Sequence, residues 1–373
     1  MANSGSGRGV LVARRSTLAL AAVVFALLVG EATCRVLVAR ENRGSWDMAI
    51  RSPRDAAPTR RVALIDILQS SEDERIIFEL KPHMEKMLYK DAPVSTNRFG
   101  FRGPDIEPTE GLDTITIVGL GDSVMFGYGV PDGADYISML ERRLRQRHPQ
   151  KSWRCINTAV PAYNTAMEVE TLKTKGLQFG PDLVILGLVP NDLVLPPYIR
   201  VVTDVWDLRR SFLLERVGCW LKGLPSRASL GRDPHLLHRK SPEGMSAPVP
   251  EKYEGLQGWP AFLAALDELD ALSKEHGFEV VFFTNTEDEA AMTMIQAAKK
   301  LGWPHARLLP DIQKYLKHHG GGSWDAEHPE AYLASALAVK PDDGHPSVLQ
   351  HRMAADRILA ELERSGVLER LLE

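Results

Sequence analysis

Cysteine is scarce in this sequence, and neither sign of charge is in large excess. The three cysteines form no CxxC pair and lack the histidine spacing of a zinc site. A disulfide scaffold is therefore not indicated. A Cys155–Cys219 bridge is less favoured than buried thiols, because Cys155 lies in a strand-like apolar run. With 45 basic and 49 acidic side chains the net charge is −4, which argues against nucleic-acid binding.

Long apolar runs are also rare, and the clearest one lies near the N-terminus. The segment Met1–Arg15 contains three arginines and no acidic residue, and it precedes an unbroken apolar stretch from Leu18 to Val29. This is the pattern of a signal peptide or a membrane anchor. Apolar residues resume at Val36–Ala39, which lengthens the segment toward a full membrane span. Cleavage after Ala32 remains an alternative, but we favour an uncleaved anchor with the rest of the chain exported.

The composition and hydropathy pattern of the sequence change several times along the chain. We predict a short basic segment (1–15), a signal anchor or signal peptide (16–39), a linker and lead-in (40–92), and one α/β domain (93–373) with an insertion at about 193–252. Between Arg200 and Lys240 there are nine basic and four acidic residues with interspersed tryptophan and leucine. We favour a helix that packs its apolar face on the sheet, and contact with anionic lipid or an acidic glycan is the alternative.

Apolar strand patterns alternate with amphipathic helix patterns after residue 92. The predicted strands are 114–118, 154–159, 183–188, 279–284 and 306–309, and the predicted helices are 136–147, 165–179, 259–276, 288–301 and 348–372. Short apolar strands that alternate with helices predict an open parallel sheet covered on both faces. In such sheets ligands bind beyond the carboxyl ends of the strands, so the residues that follow each strand are the candidates for function.

A glycine-rich turn that contains a serine follows the first predicted strand. Gly119-Leu120-Gly121-Asp122-Ser123 is not a dinucleotide fingerprint, since Val124 occupies the place of the third glycine and no acidic residue ends the second strand. We interpret the glycines as conformational relief that lets Ser123 emerge at the strand end as a nucleophile.

The loops after the second and third strands face the same crevice. The backbone N–H groups of Ser123 and Ala162, together with the amide of Asn191, have the composition of an oxyanion hole. Asp122 and Asp192 flank the serine and the asparagine, and we expect them to support these two residues. Taken singly, each polar loop residue is also compatible with a plain turn or helix cap.

A candidate base lies near the C-terminus. Asp342 and His345 are three residues apart on a glycine-containing loop before the last helix, which suits the acid–base half of a catalytic triad. The pair Asp325 and His328 has the same spacing, but Gly344 and the helix that follows favour the first pair. The remaining histidines, including His235, His238, His318 and His319, are expected at the surface.

Together these blocks resemble the SGNH, or GDSL-type, hydrolase superfamily. The resemblance covers about residue 97 to the C-terminus. It implies that Ser123 is the nucleophile, Asp342 and His345 complete the triad, and Asn191 contributes to the oxyanion hole. The run Thr96–Gly103 (TNRFGFRG) is similar to the lead-in of membrane-anchored bacterial members.

The resemblance implies a three-layer α/β/α sandwich with a mainly parallel, flavodoxin-like, five-stranded sheet. It implies acyl transfer from an ester without a metal or other cofactor. The favoured hypothesis is an exported esterase that acts on envelope glycans or lipids. The alternatives are an O-acyltransferase on a surface polysaccharide and a non-catalytic envelope binding protein that has kept the fold. Two positions depart from the family pattern, since Ala162 and Val189 stand where the family has glycine, and Val189 puts the local loop geometry in question.

Overall fold

The computed structural model describes residues 6–43, 45–46, 61–107, 114–196, 198–200, 202, 204–221, 249–319 and 329–373. The chain divides into two compact units, one made of Met1–Ser52 and Pro197–Pro250, the other of Pro53–Pro196 and Glu251–Glu373. The predicted domain boundaries stay a prediction.

The described residues form the following strands and helices. The strands are β1 (Arg61–Val62), β2 (Leu68–Ser70), β3 (Phe78–Leu80), β4 (Met87–Tyr89), β5 (Ala92–Val94), β6 (Thr114–Leu120), β7 (Ser152–Asn157), β8 (Leu183–Gly187), β9 (Glu279–Thr284), β10 (His305–Arg307), β11 (Ala338–Lys340) and β12 (Asp343–Pro346). The helices are α1 (Ser6–Asn42), α2 (Leu64–Ile67), α3 (Ser123–Phe126), α4 (Tyr136–Arg147), α5 (Thr165–Thr171), α6 (Phe212–Leu221), α7 (Gly258–His276), α8 (Glu289–Lys299), α9 (Leu309–His318), α10 (Glu330–Leu333), α11 (Val348–Arg364) and α12 (Val367–Leu372).

A five-stranded parallel sheet forms the centre of the second unit. Its strand order is β10-β9-β8-β6-β7, and every pairing in it is parallel. The order of the chain reverses between β6 and β8, and this switch point is where doubly wound sheets bind ligands. The predicted flavodoxin-like fold is confirmed.

Side chains of the sheet alternate between two helical layers. Val118, Val184 and Phe282 point into one apolar core together with residues of α5, α7 and α8. The opposite face meets α4 and α11, where the ring of Tyr136 lies 5.0 Å from that of Phe283 and 5.6 Å from that of His351. Burial on both faces explains why these strands are almost uniformly apolar.

Three predicted elements are broken, change type or are followed by an element that was not predicted. The last predicted helix is broken at Gly366, whose φ of 73° separates α11 from α12. The predicted helix 165–179 is α-helical only as far as Thr171, after which a π turn and a 3-10 turn complete it. The predicted strand 306–309 ends at Arg307, and Leu309 begins α9. Leu309, Ile312 and Leu316 have helical spacing, which is the signal for this missed helix.

The lead-in before β6 packs against the loops of the sheet. Within it, β2 pairs with β3, and β4 pairs with both β1 and β5. The hydroxyl of Tyr163, in the loop after β7, donates a hydrogen bond to the Phe78 carbonyl at 2.6 Å. The same tyrosine ring contacts the Phe78 ring edge-on at 5.3 Å. The lead-in is thereby tied to a loop at the carboxyl end of the sheet.

Arg102 provides a second tie between the lead-in and this end of the sheet. Its side chain is almost fully buried, and its guanidinium donates hydrogen bonds to the carbonyls of Phe126, Gly127 and Val130. It also forms an ion pair with Asp132 at 3.4 Å. These carbonyls belong to the last residue of α3 and to the chain just after it, so Arg102 holds the segment that follows Ser123.

The helix α1 contains the predicted anchor. Its segment Arg14–Arg40 is 27 residues long and contains an 18-residue window with a mean hydropathy of 2.0, which is long and apolar enough to cross a membrane. An N-terminal helix of this kind is compatible with a membrane anchor or a signal sequence.

Removal of the buried guanidinium should destabilise the protein. We expect Arg102→Ala to lower the free energy of unfolding by about 3 kcal/mol, because it leaves buried carbonyls without their charged donor. Arg98→Ala is the matched control in the same segment. Arg98 pairs at the surface with Glu107, so the expected loss is below about 1 kcal/mol. Thermal unfolding followed by circular dichroism measures both, and equal losses in the two variants would contradict this role of Arg102.

Candidate active site

Ser123 lies at the carboxyl end of β6, as the first residue of α3. The two glycines before it are needed for close approach rather than for an unusual backbone conformation, since neither has a positive φ. A Cβ atom at Gly119 would lie 2.8 Å from the Met125 sulfur, and one at Gly121 would lie 2.6 Å from the Met125 Cβ. The glycines therefore allow α3 to fold back over the strand end, which presents the Ser123 side chain half-buried.

His345 contacts this serine, although the two residues are 222 positions apart in the sequence. It lies on β12, just before α11, and its Nε2 is 2.9 Å from the Ser123 Oγ. Its Nδ1 is 2.6 Å from a carboxylate oxygen of Asp343. A carboxylate at Nδ1 favours the tautomer with the proton on Nδ1, which leaves the Nε2 lone pair free to accept the serine proton. The geometry is that of a nucleophile, a base and an orienting acid.

The acid in this arrangement is Asp343, and the prediction of Asp342 is corrected. Asp343 begins β12 and pairs with Lys340 across the β11–β12 hairpin, whereas Asp342 lies in the exposed turn. Side chains two residues apart on a strand share a face, so Asp343 and His345 point the same way. The hydrogen bond to His345 lowers the pKa of Asp343, and Lys90 adds to this shift.

A pair of neighbouring variants separates the two carboxylates. We expect Asp343→Asn to lower kcat for ester hydrolysis by about 10²- to 10⁴-fold, because an amide at Nδ1 does not hold the required tautomer. Asp342→Asn should change kcat by about twofold or less, as for an exposed turn residue. The reverse result would restore Asp342 as the orienting acid.

Asp122 connects the serine to the asparagine of the predicted oxyanion hole. Its side chain is buried and accepts hydrogen bonds from the Val124 N–H at 2.9 Å and from the Asn191 amide at 2.9 Å. The Ser123 hydroxyl lies 3.3 Å from the same carboxylate. An asparagine amide has two N–H donors, so Asn191 retains one for a ligand. The structure thus brings Ser123, Asp122 and Asn191 together.

Ala162 adopts the conformation that a glycine would take. Its φ is 73°, in the left-handed region that glycine adopts freely and that other residues rarely adopt. Within the described part of the chain, neither the Ser123 N–H nor the Ala162 N–H donates a hydrogen bond. Val189, the second departure, has an extended backbone that any residue adopts, and its N–H donates to Asp192 at 3.1 Å. Neither substitution distorts the loop that carries it.

The left-handed conformation of Ala162 has a measurable cost. A non-glycine residue in this region costs about 1–2 kcal/mol, while glycine costs about 0.4–1 kcal/mol through the unfolded chain. We therefore expect Ala162→Gly to be at least as stable as the natural chain and to retain ester hydrolysis, because only the N–H is needed. Ala162→Val should lose both stability and activity. Equal melting temperatures for the glycine and valine variants would contradict the strain at this position.

Tyr128 is a site residue that the sequence did not reveal. Its ring stacks on that of His345, with centroids 3.9 Å apart and planes 18° apart. The Lys90 ammonium lies 5.0 Å from the Tyr128 ring centroid, and a hydrogen bond to Tyr128 raises the pKa of Lys90. Stacking fixes the plane of the imidazole and so helps to aim Nε2 at the serine. The available signal was an aromatic residue between two glycines just after the nucleophile, Gly127 and Gly129, both with positive φ.

Two further carboxyl groups lie buried behind the site. Glu168 and Asp192 are almost fully buried, and within the described residues both Glu168 carboxyl oxygens and the Asp192 Oδ1 have no hydrogen-bond partner. Burial raises the pKa of Glu168 well above its ordinary value, and the nearby charges of Asp192 and Asp122 add to the shift. The folded state therefore retains a proton that the unfolded chain releases, and this group lowers stability as the pH rises above the ordinary glutamate pKa.

The remaining predicted residues fall outside this site. Asp325 and His328 lie outside the described residues, as do His235 and His238. His318 and His319 are exposed at the end of α9, as expected, whereas His351 is fully buried, and the prediction was wrong for it. Cys34 and Cys155 are free thiols, and the Cys219 side chain is outside the described part. In that described part, no group of three or more His, Cys, Asp or Glu side chains is arranged to hold a metal.

Comparison with known proteins gives matches among solved structures alone. No family model matches the sequence, and no curated protein matches it. The solved structures include the acetylxylan esterase Axe2 from Geobacillus stearothermophilus, with 16% identity, a TM-score of 0.40, and coverage of 69% of this chain and 96% of that chain. The α/β hydrolase LAE5 from the metagenome of Lake Arreo has 16% identity, a TM-score of 0.38, and coverage of 67% and 95%. TesA has 13% identity, a TM-score of 0.35, and coverage of 67% and 98%. At these values neither a substrate nor a residue role transfers to this chain.

Proposed function

We propose that this protein is a serine esterase that hydrolyses carboxylic esters. The observation that carries the proposal is the chain of contacts from the Ser123 Oγ to the His345 Nε2 at 2.9 Å and from the His345 Nδ1 to Asp343 at 2.6 Å. A serine hydroxyl is a weak nucleophile unless a base takes its proton, and a neutral imidazole held by a carboxylate is suited to that task. In this proposal Asp343 takes the place first predicted for Asp342.

The proposed reaction has two stages. The Ser123 Oγ attacks the ester carbonyl carbon while His345 accepts the hydroxyl proton, and a tetrahedral oxyanion forms. In the proposed mechanism the N–H groups of Ser123 and Ala162 and the Asn191 amide stabilise that charge. His345 then gives its proton to the leaving alkoxide, which departs as the alcohol. Water, deprotonated by His345, attacks the acyl-serine and releases the carboxylic acid and the free serine.

The site of action proposed for the enzyme is the bacterial cell envelope. The apolar segment of α1 supports retention as an anchor, and the basic residues at its N-terminal side support export of the chain that follows. An esterase held at a membrane meets acylated glycans and lipids, so these are the proposed substrates. The partners are thus the membrane and an ester-bearing glycan, lipid or small molecule.

Substitution of the nucleophile and the base tests the activity. We expect the detergent-solubilised full chain to hydrolyse p-nitrophenyl acetate or a medium-chain ester, and we expect Ser123→Ala and His345→Ala each to lower kcat/KM by about 10³-fold or more. His328→Ala is the matched histidine control and should retain the activity of the natural chain. Circular dichroism checks that the variants remain folded.

The alternatives give different outcomes in the same assay. Retained activity in Ser123→Ala would overturn the proposed nucleophile. Transfer of the acyl group to an added sugar, without hydrolysis, would indicate an O-acyltransferase. Neither hydrolysis nor transfer by the natural chain would indicate a binding protein that has the fold without the activity.

A further inference from the structure

The apolar segment of α1 contains two charged residues, Glu31 and Arg35. Both lie within Arg14–Arg40, the part of the helix that is apolar enough to span a membrane. Their side chains form an ion pair at 2.8 Å and are only 20% and 17% exposed. Charged groups at membrane depth are costly unless protein satisfies them, so their contacts within the first unit indicate what surrounds this part of α1.

Glu31 serves as the cap of a second helix. Its carboxylate accepts hydrogen bonds from the Ser211 hydroxyl at 2.9 Å, the Phe212 N–H at 3.2 Å and the Leu213 N–H at 2.9 Å. The latter two are first-turn N–H groups of α6, which have no partner within their own helix. A Cβ atom at Gly30 would lie 3.2 Å from Leu213, so α6 approaches α1 closely at this point.

Arg35 holds the turn that leads into α6. Its guanidinium donates to the carbonyls of Val205, Asp207 and Arg210, the last at 2.8 Å. It also lies 4.9 Å from the centroid of the Phe212 ring. The polar atoms of Glu31 and Arg35 therefore bind one another and the segment 205–213. Hydrogen bonds fasten that segment to α1 at both of its ends.

This fastened segment presents apolar side chains outward. Outside α1, in the part of the chain that the structure describes, every large apolar side chain more than half exposed lies between Trp206 and Leu221. These side chains are between 70% and 87% exposed, whereas none elsewhere in the described second unit exceeds 44%. They are Trp206, Leu208, Leu214, Trp220 and Leu221. Leu214, Val217 and Leu221 follow one another at helical spacing and so share one face of α6.

We propose that the five most exposed of these side chains insert into the phospholipid bilayer that holds α1. We call them the α6 apolar surface: Leu214, Trp220 and Leu221 of α6, with Trp206 and Leu208 of the turn before it. The surface is continuous with the apolar helix to which Glu31 and Arg35 fasten it. About 20 residues of helix, from Ser16 to Arg35, have the length of the hydrocarbon layer, so the fastened segment lies near one boundary of that layer. Tryptophan is enriched at this boundary, and two tryptophans are exposed here.

This inference rests on the anchoring proposed for α1 and is independent of the esterase activity. It assigns to the insertion a role as a membrane-embedded partner of the anchor, in place of the favoured prediction that its helix packs on the sheet. It also requires that the chain is not cut after Ala32, because such a cut would separate the capping carboxylate of Glu31 from Arg35.

Quenching of tryptophan fluorescence by brominated lipid tests the contact. The full-length protein is reconstituted in vesicles of phosphatidylcholine and phosphatidylglycerol, with and without bromine on the acyl chains. The sequence of α1 contains no tryptophan, so the anchor itself contributes no tryptophan fluorescence. We expect brominated lipid to quench the natural chain and the double variant Trp206→Phe/Trp220→Phe to lose most of that quenching. Trp259→Phe, on α7, is the matched control and should retain it.

Removal of the capping carboxylate tests the fastening. We expect Glu31→Ala to lose at least about half of the quenching that depends on Trp206 and Trp220, because α6 loses its cap and its tie to α1. Arg40→Ala removes an exposed charge from the same helix and should leave quenching unchanged. Resistance of each variant to extraction by alkaline carbonate confirms that α1 remains inserted, and ester hydrolysis in the same vesicles is recorded separately.

Three results would overturn the inference. Equal bromolipid quenching in the natural chain and the double variant would show that the two tryptophans do not touch lipid. Quenching of them by aqueous iodide would place the α6 apolar surface in water, and protection from both quenchers would show that protein covers it. Release of the natural chain by carbonate would instead overturn the anchoring of α1.

Discussion

Strand β6 pairs in parallel with β7 along one edge and with β8 along the other, so the carboxyl ends of three strands lie side by side. This pairing sets the place of the reactive groups. Ser123 follows β6, Ala162 lies in the loop after β7, and Asn191 follows β8. His345 and Asp343 come from elsewhere, on the β12 strand before α11. The site therefore depends on the sheet topology first and on local loop conformation second.

Asp122 is the group on which the local arrangement depends. A buried carboxylate requires donors, and this one has the Val124 N–H, the Asn191 amide and the Ser123 hydroxyl within reach. It thereby fixes the asparagine relative to the nucleophile. The two carboxyl groups behind it lack comparable partners. Burial and the repulsion between like charges raise the pKa of both Glu168 and Asp192, so both groups resist ionisation.

Much of the fold and part of the site follow from the sequence. Buried parallel strands have an unmistakable composition, which is why β6, β8 and β9 are predicted to within two residues of their observed ends. Ser123 and His345 were also predicted, because each adjoins a recognisable element. The choice between Asp342 and Asp343 was not predictable, since it depends on where β12 begins and thus on pairing across a hairpin that contains a bulge. Tyr128 and the cap supplied by Glu31 depend on contacts between distant residues, which periodicity does not encode.

The hairpin of β11 and β12 makes the proposed base and its acid inseparable. Asp343 and His345 occupy alternate positions of one strand, so a shift of one residue in the pairing would turn both side chains to the opposite face together. Substitutions change one of the two at a time, whereas a single inserted or deleted residue in this hairpin removes both from the serine at once. For the proposed activity, the length of the turn between the two strands therefore matters as much as the identity of Asp343 and His345.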